Sequence, residues 1–149
     1  MKVYIGYKKV DGKVAQGVTV YDSSNRIVFS NEKMCDDASK TNGKFANILN
    51  ALIWGVKQVK NQAQRGVLSE EETMFIVIDN KTVYNWFENN SAIRSYAIQF
   101  AELNREINFL VNNVEIVLMT GASKKVTYKK KGTIEDIGLV KLTELFSQD

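Results

Sequence analysis

The chain has 149 residues, of which 44% are apolar, 25% charged and 10% aromatic, enough to bury one compact core and too apolar for a disordered tail protein. A formal charge of +3 permits contact with a polyanion without requiring one. The lack of histidine excludes Ser/His/Asp chemistry and most zinc sites, and the lone Cys35 excludes an internal disulfide, which points to a reducing interior.

From the N-terminus, Val3, Ile5 and Tyr7 alternate with polar or small neighbours, the period of a strand. Met1 to Lys8 has no continuous apolar stretch of the kind a secretory leader needs, and no later run approaches a membrane span. Asp11-Gly12 is a turn pair, followed by a second strand from Lys13 to Tyr21. Asp22-Ser23-Ser24-Asn25 turns the chain again into a third strand, Arg26 to Ser30, completing an antiparallel meander. Residues 32–40 are polar and irregular. Thr41-Asn42 offers a helix cap, and Phe45, Ile48, Leu49, Leu52, Val56 and Val59 follow at helical spacing. Gln62 to Glu72 reads as a charged loop.

The apolar run Met74 to Ile78 reads as a strand buried on both faces, ending at Asp79-Asn80. Lys81 to Glu88 forms a short helix carrying Val83, Tyr84, Trp86 and Phe87. A longer helix runs from about Ala92 to Val111, with Ile93, Ala97, Phe100, Leu103, Ile107 and Leu110 on one side. Val114 to Met119 is a last strand; a lysine-rich loop and a helix from Thr133 to Phe146 close the chain. With no repeat and no proline to mark a linker, one domain over 1–149 is expected. This order predicts an α/β fold: a mixed five-stranded sheet, an antiparallel three-strand meander plus parallel strands, flanked by helices.

The order resembles the ribonuclease H fold over nearly the whole chain. Thr41-Asn42-Gly43-Lys44-Phe45-Ala46 is similar to the Thr-Asn-Asn-x-x-Glu stretch opening that family's first helix. The segment from Phe75 to Trp86, with Asp79-Asn80 at its centre, is similar to the family's fourth strand, Asp-Ser pair and following helix. The resemblance implies a site in which two Mg²⁺ ions sit among acids from the first strand, first helix, fourth strand and last helix. Hard oxygen ligands must neutralise such a pair before it can clamp the attacking and leaving oxygens.

Against that ligand set the sequence is sparse. The first-strand position holds Gly6 or Tyr7, and no acid precedes Asp11. The first-helix position falls on Ala46, or on Lys44 in a shifted register. Asp79 matches the fourth-strand acid, and Asp136 or Glu135 matches the last-helix acid, although a register built on Leu139 places Ile137 there. The family's loop histidine has no counterpart in Thr120 to Lys124. At most two of four acids remain, so no magnesium pair and no ribonuclease H activity are expected.

Each residue singled out has a plainer reading beside the functional one. Asp79 is a remnant ligand or the cap of the helix starting near Lys81. Glu135 and Asp136 are weak remnants, or a first turn in which Thr133-x-x-Asp136 has capping-box spacing. Lys124, Lys125, Lys129, Lys130 and Lys131, with Tyr128 between them, form either a phosphate-contacting loop with a stacking ring or a solvated loop. Asn42 is a minor-groove contact by resemblance, or a helix cap. Consecutive Trp86 and Phe87 cannot both point inward on this reading, which leaves one for a partner. Cys35 lies in a polar stretch with no evident activating pair and receives no catalytic role.

The leading expectation is a catalytically inactive ribonuclease H-like domain used as a binding or assembly module. Its ligand would be nucleic acid: an RNA–DNA hybrid, a duplex or a single strand. A protein-only subunit, such as a virion component or a self-associating one, is the alternative. A nuclease with a site rearranged around Asp79, Glu135 and Asp136 is the third. No membrane partner and no cofactor are expected, and the location is intracellular: the cytoplasm, or a host's if the protein is viral.

Overall fold

The computed structural model describes residues 1–120 and 124–129. Three strands come first: β1 (Lys2–Val10), β2 (Lys13–Tyr21) and β3 (Ile27–Asp36). A short helix α1 (Ser39–Asn42) and a long one, α2 (Ala46–Gln64), lead to β4 (Met74–Ile78). Then come α3 (Lys81–Asn89), a 3-10 turn at Arg94–Tyr96, α4 (Ala97–Asn108), β5 (Val114–Thr120) and β6 (Lys124–Lys129). The sheet runs β3-β2-β1-β4-β5-β6. The meander is antiparallel, β4 pairs parallel with β1, and β5 pairs parallel with β4.

The turns are where the sequence places them, for local reasons. Asp11 and Gly12 both take positive φ, 49° and 78°, the backbone a two-residue hairpin needs, and Val10 pairs with Lys13 across it. At the second turn the Asp22 carboxylate accepts from the backbone N–H groups of Ser24 and Arg26, 2.8 and 3.0 Å away. The N–H of Arg26 is the main reason its pKa lies below the ordinary value.

Five of the strands stand where expected, but β3 runs on to Asp36 through residues expected to be irregular, held there by pairing with β2, and the sixth strand is a further correction. Lys124–Lys129, expected within a loop, lies antiparallel to β5, with Thr120 opposite Lys124 and Glu115 opposite Lys129. The expected helix from Thr133 to Phe146 lies outside the described residues.

Strand periodicity divides the core between the two faces. Val3, Ile5, Ile76, Ile78, Ile116 and Leu118 pack on one side with Leu49, Leu52, Val56 and Val59 of α2 and with Phe100, Leu103 and Ile107 of α4. Tyr4, Ala15, Tyr21, Val77, Val117 and Met119 cluster on the other. Helix α2 lies hard against β1 at Gly55, where a Cβ would fall 2.7 Å from the Ile5 side chain. Among the described residues, no helix is long and apolar enough to cross a membrane.

Three helix expectations need correction. Thr41 and Asn42 do not cap the long helix: they belong to α1, which ends at Gly43, and α2 starts at Ala46 behind Phe45 with no side-chain cap. Gly43 has φ 87° and a Cβ there would overlap the Tyr96 hydroxyl, so the break sits where only glycine fits. The fourth helix is shorter than Ala92–Val111, and its 3-10 start tightens the turn so that Tyr96 is buried while Ile93 and Ala97 are exposed. Trp86 and Phe87 are both buried. Residues one apart on a helix are about 100° apart, and α3 is covered over more than that arc. Phe100 meets both rings, at 6.1 and 4.9 Å, while Tyr96 stacks on Trp86 at 5.8 Å.

The segment between α2 and β4 is tied down rather than free. Leu68 is buried, and the Asn112 side-chain amide donates to the carbonyls of Ser69 and Glu72 at 2.8 and 2.7 Å.

Candidate functional site

Parallel pairing of β1 and β4 ends at Tyr4 opposite Val77. Beyond it, β1 continues through Ile5, Gly6 and Tyr7, while β4 ends at Ile78 and the chain turns through Asp79 and Asn80 into α3. The carboxyl ends of parallel strands are where open α/β sheets leave room for ligands. Here the gap is a cavity of about 260 Å³, lined by Ile5, Gly6, Tyr7, Ile48, Ala51, Leu52, Ile78, Asp79 and Asn80. Its walls are apolar on three sides: strand, strand end and the α2 face.

Asp79 brings a carboxylate to this cavity. It is exposed at the rim, and among the described residues it makes no hydrogen bond or ion pair. Desolvation by the packed strand end beneath pushes its pKa above the ordinary carboxylate value. The cap role weighed for Asp79 belongs to its neighbour: the Asn80 side-chain oxygen accepts from the Val83 N–H at 3.0 Å, with Asn80 extended at φ −148°.

Of the positions read for the missing acids, Gly6 and Tyr7 do line the cavity. Ala46 and Lys44 do not. Ala46 is buried in the core, and the Lys44 ammonium lies 5.1 Å from the Phe45 ring centroid. Helix α2 presents Ile48, Ala51 and Leu52 to the cavity. Helical spacing of Ile48 and Leu52 is visible in the sequence, but it reads there simply as core. Glu135 and Asp136 lie outside the described residues. A magnesium pair needs several hard oxygen donors. The described lining supplies the Asp79 carboxylate, the Tyr7 phenol and an Asn80 amide oxygen already engaged, and it does not fit such a pair. Among the described residues no three acids or thiols stand close enough to hold a metal ion.

The lysine-rich segment is spread along a strand. Ile78 pairs with Leu118, and Lys125 and Lys124 stand opposite Met119 and Thr120, at the cavity end of the sheet. Lys129 and Tyr128 pair with Glu115 and Ile116, about 13 Å back along the strand at some 3.3 Å per residue. Lys130 and Lys131 lie outside the described residues. Asn42 is exposed at the end of α1, its N–H bonded to the Ala38 carbonyl. Cys35 sits half-buried in β3, its Sγ–H donating to the Val14 carbonyl, and burial raises its thiol pKa.

One polar cluster escapes sequence reasoning. The Asp37 carboxylate accepts from the N–H and hydroxyl of Ser39 and from the Asn47 amide, at 2.9, 2.5 and 2.7 Å, and pairs with Lys9 at 3.3 Å. The Ser39 hydroxyl bond leads the set that holds Asp37 well below the usual carboxylate range. The network ties the ends of β1 and β3 to the start of α2. Its only sequence trace is Asp37-x-Ser39, an Asx-turn spacing.

No protein-family model and no curated protein sequence matches the chain. Solved structures do. Ribonuclease H1 from the halophilic archaeon Halobacterium salinarum superposes with a TM-score of 0.59 at 11% identity, over 79% of this chain and 83% of that one. The N-terminal ribonuclease H domain of a Mycobacterium tuberculosis protein, solved as a maltose-binding-protein fusion, gives 0.55 at 10% identity, over 82% and 88%. The fold is therefore ribonuclease H-like, as the sequence resemblance implied, and identity this low shows the fold alone.

Proposed function

We propose that this ribonuclease H-like chain does not cut nucleic acid by the two-metal route and serves as a binding or assembly module, with nucleic acid as its ligand. The observation that carries the reading is the cavity lining. Where paired magnesium ions would need converging oxygens, Asp79 shares the cavity lining with Gly6, Ile48, Ala51 and Leu52. Two cations placed there would lose most of their hydration, and the described residues offer little to replace it.

The lysine-rich segment supports nucleic acid as the ligand. Lys124 and Lys125 occupy backbone positions at the cavity end of an edge strand, and Lys129, Lys130 and Lys131 continue the basic run. Lysines meet phosphates as point charges and release condensed counterions, which gives affinity without sequence preference. Tyr128 within the run offers a ring on which a base can stack. Asn42 is the remaining candidate contact, exposed one residue before Gly43.

A binding titration against duplex, RNA–DNA hybrid and single strand across a salt series tests this. If all five lysines meet phosphates, the log–log salt slope approaches about −4, and replacing them with glutamine flattens it. Binding that ignores salt, or survives that replacement unchanged, refutes nucleic acid as the ligand and leaves a protein-only role.

A further inference from the structure

The cavity beside Asp79 has a chemistry of its own, whatever the lysine segment binds. Ile5, Ile48, Leu52 and Ile78 give it apolar walls, and Gly6 lines it without a side chain. At about 260 Å³ it exceeds the roughly 150 Å³ apolar cavity that accepts benzene. Tyr7 adds an aromatic ring to the lining, and Asp79 adds a carboxylate with no partner among the described residues.

We propose that this cavity binds a small organic ammonium ion, its apolar body held among Ile5, Ile48, Leu52 and Ile78 and its cationic head against the Asp79 carboxylate. Charge selects among the possible guests. An anion would meet Asp79 at the rim and be repelled. A neutral apolar molecule would sit beside the rim carboxylate without bringing it a counter-charge. Among the described residues a hydrated divalent ion would find one carboxylate and mostly apolar walls. An arylmethylammonium ion meets each demand, and its head is also the kind of cation that an aromatic face such as Tyr7 attracts. Desolvation raises the Asp79 pKa, and a cation seated beside the carboxylate would act against that shift.

The test is a titration of the isotopically labelled chain with benzylammonium chloride, followed by amide chemical shifts, with benzyl alcohol as the neutral isostere. Shifts should concentrate at Gly6, Tyr7, Leu52, Asp79 and Asn80. Affinity should fall at least tenfold for the alcohol, and at least tenfold for benzylammonium with D79N, the loss expected for a charge-assisted bond. Asp79 is exposed, and an unchanged amide spectrum establishes that D79N is folded. Equal affinity for the alcohol, undiminished affinity in D79N, or shifts centred away from the cavity would each overturn the proposal.

Discussion

Replacing Gly43 by alanine isolates the joint on which the placement of α2 depends. Gly43 has φ 87° and ψ 170°, a region that side chains with a Cβ avoid, at a cost of roughly 1–3 kcal/mol. The added methyl would also overlap the Tyr96 hydroxyl and lie 3.2 Å from its Cζ. Tyr96 cannot swing aside cheaply: it stacks on Trp86 at 5.8 Å and meets Phe45 edge-on at 5.6 Å. Overpacking of this kind costs about 1–3 kcal/mol. Alanine stiffens the unfolded chain and returns about 0.4–1 kcal/mol. The net loss should be about 3 kcal/mol, read as a lower urea midpoint at constant slope and a melting temperature reduced by roughly 6–12 °C. Removing the hydroxyl separates the two causes. Tyr96→Phe alone should be near neutral, and in the Gly43→Ala background it should restore about 1–2 kcal/mol, the steric share, while the backbone share stays. A Gly43→Ala variant within about 0.5 kcal/mol of the parent, or no coupling to Tyr96→Phe, would refute the reasoning.

Other perturbations follow from the same geometry. Asn80→Ala should cost about 1 kcal/mol by removing the cap of α3, whereas Asp79→Asn should be neutral or slightly stabilising above pH 5. Urea midpoints reversing that order would return the cap to Asp79. Asp37 is held below its ordinary pKa by Ser39, Asn47 and Lys9, so its contribution is present above the unfolded value of 3.8 and fades as pH falls below it. The stability gap between parent and Asp37→Asn should therefore narrow on acidification from pH 6 to pH 3, and a gap that widens in urea melts over that range would contradict the assignment. Phe100→Ala should lose about 3–5 kcal/mol, because Phe100 is the ring shared by Trp86 and Phe87. Thermal melts near the parent's would show that the aromatic cluster is not core.

The strands and turns were legible because each rests on local chemistry. Alternation at Val3, Ile5 and Tyr7, the Asp11-Gly12 hairpin and the unbroken run Met74–Ile78 all appear in the chain as they do in the sheet. The failures share one cause, that tertiary contact outweighs local preference. Thr41-Asn42 looks like a cap, but the chain breaks at Gly43, under Tyr96, and α2 starts three residues further on, at Ala46. Trp86-Phe87 looks too wide to bury, yet Tyr96 and Phe100 lie where both rings can be covered. In Lys124–Lys129 the lysines masked a Val126-Thr127-Tyr128 run of strand-forming residues. The candidate site was half legible. Gly6, Tyr7 and Asp79 could be placed from the strands. The α2 lining could not, because Ile48 and Leu52 repeat at helical spacing like any core face and nothing local marks them as lining a cavity.

The most direct test of the central claim is a cleavage assay of the full chain on an RNA–DNA hybrid in Mg²⁺ and in Mn²⁺, run where the same hybrid is shown by titration to be bound. The account predicts a bound and intact hybrid. Cleavage that disappears in Asp79→Asn would contradict it, by showing that oxygens do gather around this carboxylate to hold catalytic metal.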